Sequence, residues 1–154
     1  MNSFSPRPLL IVEDSDEDFE AIIWVLRKSS CRIPVVRCKD GQHAIDYLES
    51  LGNPMTNVPV PFPAMVLLDL NVPGVDGHAV LRHIKASTHL RPLPVVVFTT
   101  SAQTADVQSC YRLGANSYVV KPAGMVQLRE LVDGLVQYWF RHVYLPQPEG
   151  SYAN

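Results

Sequence analysis

Cysteine is scarce: three of 154 residues, at positions 31, 38 and 110, with no Cys-x-x-Cys pair among them. An odd number at such spacing gives neither a disulfide framework nor a zinc knuckle. The three read as small apolar residues in a reducing compartment, so a cytoplasmic protein is expected. The five histidines show no His-Glu-x-x-His spacing, and neither Gly-x-Gly-x-x-Gly nor a Walker loop is present. No apolar run approaches the roughly 20 residues that cross a bilayer, so no membrane span is expected. No apolar stretch follows Met1-Asn2-Ser3-Phe4-Ser5-Pro6, so no export signal is expected either. Excess charge of one sign is also missing. The formal net charge of -2 argues against nucleic acid as the main partner.

What is present is enough for one domain, at about 100–200 residues per domain. Five short apolar stretches recur: residues 9–12, 33–36, 65–68, 95–98 and 118–120. They are rich in β-branched residues and continuous rather than alternating, as strands covered on both faces are. Helical periodicity lies between them. Phe19, Ile22, Ile23 and Leu26 follow the i, i+3, i+4, i+7 rule; Ala44, Tyr47 and Leu48 do so too. So do Val80, Leu81 and Ile84, then Val107, Cys110 and Tyr111. A last helix is expected over residues 124–142, with Gly134 inside it. Five βα units imply a doubly wound α/β domain with a parallel sheet and right-handed crossovers. Residues 52–63 hold four prolines and read as a long loop; the polar tail, 146–154, is expected to fray.

In an open parallel sheet, ligands sit beyond the carboxyl ends of the strands. The first expected strand ends in Glu13-Asp14, the third in Asp69, the fourth in Thr99-Thr100-Ser101 and the fifth in Lys121-Pro122. Alone, each has an ordinary explanation. Acids favour the positive end of a helix, hydroxyls cap helices, and Lys-Pro makes turns. Together they place three carboxylates, a hydroxyl cluster and an ammonium on one edge. Carboxylates crowded in this way invite a hard divalent cation, Mg²⁺ or Mn²⁺.

Leu10-Ile11-Val12-Glu13-Asp14, Leu67-Leu68-Asp69-Leu70-Asn71-Val72-Pro73-Gly74-Val75-Asp76-Gly77, Val97-Phe98-Thr99 and Gly114-Ala115-Asn116-Ser117-Tyr118-Val119-Val120-Lys121-Pro122 resemble the CheY-like receiver domain of two-component response regulators. The resemblance covers a core of about residues 8–142 and leaves 143–154 as a C-terminal extension. It implies a flavodoxin-like sheet of strand order 2-1-3-4-5 with five helices. It further implies that Asp69 is the phosphoacceptor, taking a phosphoryl group from a sensor histidine kinase. Asp14 and Asp69 would ligate Mg²⁺, Asn71 would add its backbone carbonyl, and Glu13 would act directly or through water. Lys121 would pair with the phosphoryl charge and Thr99 would donate a hydroxyl to it. Tyr118 would turn between outward and inward rotamers as Thr99 shifts. Pro122 would follow a cis peptide bond, and Gly77 would permit the turn into the third helix. The only catalysis implied is of the protein's own phosphorylation and dephosphorylation.

Within the receivers, Leu68-Asp69-Leu70-Asn71-Val72-Pro73, Leu93-Pro94-Val95-Val96-Val97-Phe98-Thr99-Thr100-Ser101 and Tyr138-Trp139-Phe140-Arg141-His142-Val143-Tyr144-Leu145-Pro146 are similar to the regulators paired with cyanobacterial phytochromes. That resemblance implies a phytochrome kinase and a homodimer. Steps of 100° put Trp139 and Phe140 with the apolar stripe and Tyr138 elsewhere. The cluster Tyr138, Trp139, Phe140 and Tyr144 is therefore the expected dimer surface. A haloacid-dehalogenase-type phosphatase is the main alternative, but it wants a second Asp where Asn71 stands. A flavodoxin-like cofactor carrier would meet a repelling acidic turn at residues 13–16. A receiver that binds partners without phosphorylation is the third.

Overall fold

The structure, a computed structural model, describes residues 7–51 and 60–148. Strands and helices alternate: β1 (Leu9–Val12), α1 (Asp16–Lys28), β2 (Val35–Cys38), α2 (Gly41–Ser50), β3 (Met65–Leu68), α3 (Gly77–Ala86), β4 (Val95–Thr99), α4 (Thr104–Leu113), β5 (Ser117–Val120) and α5 (Met125–Gln137). A five-residue π turn, Tyr138–His142, continues α5. The sheet is parallel throughout, in the expected order β2-β1-β3-β4-β5.

Side chains of a strand alternate between sheet faces, and here each face has its own core. Leu10, Val12, Val66, Leu68, Val95 and Val97 pack with Ala44, Leu48, Val80, Leu81, Ile84 and Cys110 of α2, α3 and α4. Leu9, Ile11, Met65, Leu67, Val96 and Phe98 pack with Ile22, Val25, Leu128, Val132 and Val136 of α1 and α5. With both faces covered, no polar alternation is possible in β1, β3 and β4. That is why these strands read as continuous apolar runs.

Three helices start on a side chain that takes up a free backbone donor. Ser15 accepts from the Asp18 N–H at 3.2 Å, Asp40 from the His43 N–H at 2.7 Å and Asp76 from the Ala79 N–H at 2.9 Å. The second strand lies two residues later than the apolar run suggested. Arg37 belongs to it, pairing with Ile11 in register. Its charge is tolerated at the sheet edge because it binds Asp16 at 2.8 Å and stacks on Phe19 at 4.2 Å. Most of the proline-rich loop, 52–59, and the end of the tail, 149–154, lie outside the described residues. Residues 146–148 line a small cavity with Phe62, His89 and Leu93.

Gly77 has a use different from the turn expected of it. A Cβ there would stand 2.4 Å from the Asp69 carbonyl oxygen and 2.6 Å from the Leu70 Cα. Its N–H donates to the Leu70 carbonyl at 3.1 Å. The start of α3 thus lies directly on the backbone of Asp69, and only a residue without a side chain fits. Gly134, in α5, has open space around it. Gly77→Ala should therefore lose about 1–3 kcal/mol of stability through overpacking. Gly134→Ala should gain up to about 1 kcal/mol through helix propensity. Denaturant titrations of the two variants check the opposite signs.

Candidate functional site

The strand ends are fixed by the ladder itself. The Glu13 N–H donates to the Cys38 carbonyl and the Asp69 N–H to the Val12 carbonyl, both at 3.0 Å. The Lys121 N–H donates to the Thr99 carbonyl at 2.7 Å. Four polar side chains that follow or end strands are consequently buried: Glu13, Asp69, Thr99 and Lys121. Asp14, one residue further along, is exposed.

The Lys121 ammonium sits between three carboxylates, donating to Glu13 Oε2 at 2.6 Å, Asp18 Oδ2 at 2.9 Å and Asp69 Oδ2 at 3.0 Å. The other Asp69 oxygen, Oδ1, accepts from the Asn71 N–H at 3.1 Å. The Asn71 side-chain amide donates to Thr99 Oγ1 at 3.3 Å. Glu13 Oε1 accepts from the Ser15 N–H at 3.0 Å. Both oxygens of Glu13 and of Asp69 therefore have partners, which holds each carboxylate plane in one orientation.

Burial pushes the Glu13 carboxyl up to about 7, against the pull of Lys121 and with added repulsion from Asp69. Burial works against the charge on Lys121, but Glu13, Asp18 and Asp69 outweigh it and hold the ammonium above its ordinary value. Oxygen atoms of Glu13, Asp14 and Asp69 lie within 4.8 Å of one another. Against these and Asp18 stands the single ammonium, so the cluster keeps an excess of negative charge. A set of hard oxygen donors with that excess fits a divalent cation such as Mg²⁺ or Mn²⁺.

Of the residues expected from sequence, Glu13, Asp14, Asp69, Asn71, Thr99 and Lys121 thus converge. Tyr118 stands beside them. Its ring is half-buried on the apolar cluster of α2, α3 and α4, and its hydroxyl donates to the Ser101 carbonyl at 2.8 Å. The Lys121–Pro122 bond corrects an expectation: it was expected cis, but no peptide bond among the described residues is cis. An X–Pro bond prefers trans by about 0.5–1 kcal/mol unless the fold overrides it. Here the Lys121 side chain reaches all its partners from a trans backbone. The aromatic ending divides. Trp139 and Phe140 pack against the core of α1 and α5, whereas Tyr138 is 56% and Tyr144 102% exposed. Asp18 was not singled out from sequence, where it reads as one of several acids at a helix start.

Removing the ammonium leaves buried carboxylates facing one another. Lys121→Ala should cost about 3–5 kcal/mol at pH 8, the usual loss when one partner of a buried ion pair goes. The sign with pH is fixed. Burial already raises the folded-state carboxyl of Glu13 above its unfolded value, and loss of the Lys121 partner raises it further, so its ionisation opposes folding. The deficit should shrink as pH falls towards 5 and the Glu13 carboxyl protonates. Thermal denaturation of wild type and variant at pH 5 and 8 measures this.

The response regulator receiver domain family matches residues 9–133. Response regulator Rcp1 of Synechocystis sp. is 36% identical over 141 residues, covering 92% of this chain and 94% of Rcp1. Among solved structures, the phosphorylated cyanobacterial phytochrome response regulator RcpA superposes with a TM-score of 0.84 at 34% identity, over 93% of this chain and all of that one. The Mn²⁺-bound form of Rcp1 gives 0.84 at 36% identity, over 92% of this chain and all of that one. With the five-stranded order, the acidic cluster and the buried lysine already in place, the chain belongs to the response regulator receiver domains.

Proposed function

We propose that this response regulator takes a phosphoryl group onto Asp69 from the phosphohistidine of a sensor kinase. An Asp69 carboxylate oxygen attacks phosphorus, the P–N bond to histidine breaks and an acyl phosphate forms. The observation that carries this reading is the buried Asp69 carboxylate, held on one oxygen by Asn71 and on the other by Lys121. A carboxylate is a weak nucleophile, so its orientation matters. Lys121 gives up part of its bonding to Glu13 and Asp18 to meet the added charge. Thr99, buried at the end of β4, offers a hydroxyl from the adjacent strand. Glu13, Asp14 and Asp69, with the Asn71 carbonyl, would hold Mg²⁺, which when bound neutralises phosphoryl oxygens. The protein catalyses only its own phosphorylation and dephosphorylation.

A phytochrome is the proposed kinase, supported by the likeness to Rcp1 and RcpA over nearly the whole chain. The cytoplasm is the proposed location; among the described residues no helix is long and apolar enough to cross a membrane. A homodimer through the C-terminal end is supported by the exposure of Tyr138 and Tyr144 beside the anchored Trp139 and Phe140.

Two measurements test these readings. With Mg²⁺ and an autophosphorylated phytochrome kinase, wild type should acquire phosphoryl label and Asp69→Asn none. Equal labelling of the variant rejects Asp69. Transfer from another histidine kinase but not from the phytochrome rejects the pairing. Sedimentation of the Tyr138→Ser/Tyr144→Ser double variant should give a monomer where wild type gives a dimer. Truncation at 138 is the poorer test, because it strips Trp139 and Phe140 from the core. A dimer unaffected by the double variant places the interface elsewhere.

A further inference from the structure

Beside the acidic cluster, a cavity of about 430 Å³ is lined by Asp14, Asn71, Asp76, His78 and Asp106, among others. Three of these residues have no part in the proposed phosphotransfer: Asp76 caps α3, and the other two pair with each other. His78 is the second residue of α3 and Asp106 the third of α4. His78 Nε2 lies 3.5 Å from Asp106 Oδ1, so the two bridge the helix starts. The other Asp106 oxygen, Oδ2, accepts a short hydrogen bond from the Ser101 hydroxyl. Gln103, at the start of α4, makes no side-chain capping bond. The acid of that first turn instead reaches back five residues, to the segment that leaves β4.

Ser101 is also where Tyr118 is held. Its carbonyl accepts the Tyr118 hydroxyl at 2.8 Å, and its Oγ accepts the Gln103 N–H at 3.4 Å. Two residues earlier stands Thr99, tied through Asn71 to the Asp69 carboxylate. One short segment, 99–101, therefore carries both a link to the phosphoacceptor and the acceptor that keeps Tyr118 turned inward.

From this geometry we infer that Asp106 is a positioning residue for the switch. By gripping the Ser101 hydroxyl, with His78 as its anchor on α3, it fixes the Ser101 carbonyl where Tyr118 can reach it. It thereby favours the inward ring. The inference rests on reading Thr99 and Tyr118 as the moving parts of a receiver. A Thr99 hydroxyl drawn towards a phosphoryl group vacates space beside the inward ring. Stabilising the inward ring therefore also stabilises the phosphorylated arrangement, by linkage. Loss of the grip releases Tyr118 and weakens binding of anything that mimics the phosphoryl group.

The test places 3-fluorotyrosine at position 118 and follows its ¹⁹F resonance in the metal-free protein. Beryllofluoride with Mg²⁺ is titrated in parallel. Asp106→Ala and Ser101→Ala should each move the resonance towards its solvent-exposed position. Each should also weaken beryllofluoride binding by about threefold to tenfold, the worth of one hydrogen bond. The double variant should move neither readout beyond the larger single effect. Asp106→Asn keeps an oxygen acceptor for Ser101 and should stay near wild type, which a mere charge effect at the start of α4 would not allow. An unmoved resonance in both alanine variants, additive effects, or an asparagine variant equal to alanine overturns the inference. A wild type that fails to bind beryllofluoride overturns the phosphoacceptor reading instead, and the resonance still decides the role of Asp106.

Discussion

One buried ammonium organises the acidic end of this molecule. Lys121 stands within hydrogen-bond distance of Glu13 and Asp18, from the junction of β1 and α1, and of Asp69, far from both in the chain. Without it, Glu13 and Asp69 would face each other in a poorly solvated site, where repulsion is large. With it, the carboxylates are ordered but not neutralised. The remaining negative charge on Glu13, Asp14, Asp18 and Asp69 suits the cluster to a divalent cation. The same bond set thus holds the fold together and shapes the candidate cation site, and any change that eases the repulsion makes the cluster a poorer fit for a cation.

The sheet makes that arrangement possible by dividing labour between its faces. Each strand sends alternate side chains into two separate cores, one under α1 and α5, the other under α2, α3 and α4. Strands pinned from both sides end at defined heights. The first residue beyond each inherits its position from backbone hydrogen bonds rather than from loop packing. Gly77 completes the frame by bringing α3 onto the Asp69 backbone, with no side chain to hold it off.

Much of this was legible in the residues. The continuous runs of β1, β3 and β4 follow from two-sided burial, and with them came the positions of Glu13, Asp69 and Thr99. The edge strand β2 was misplaced by two residues because a charged Arg37 sits inside it, which apolar pattern alone rejects. The trans bond before Pro122 was missed because either isomer suits a Lys-Pro pair on sequence grounds. Asp18, His78 and Asp106 carry no motif of their own. Their roles depend on which helix starts lie side by side, a tertiary fact. The split of the aromatic ending into anchored and exposed members was half-seen: helical steps placed Trp139 and Phe140 inward.

The π turn, Tyr138–His142, closes with the Val143 N–H donating to the Tyr138 carbonyl at 3.0 Å. Such a turn holds one residue more than an α-helical turn, and so works as a phase shifter at the end of α5. Deleting one residue within 138–142 would let ordinary helical winding resume. Every side chain beyond the deletion would then rotate by about 100° about the helix axis. The aromatic that faces water is therefore set by chain length as much as by composition. At this end, insertions and deletions should be tolerated far less than substitutions.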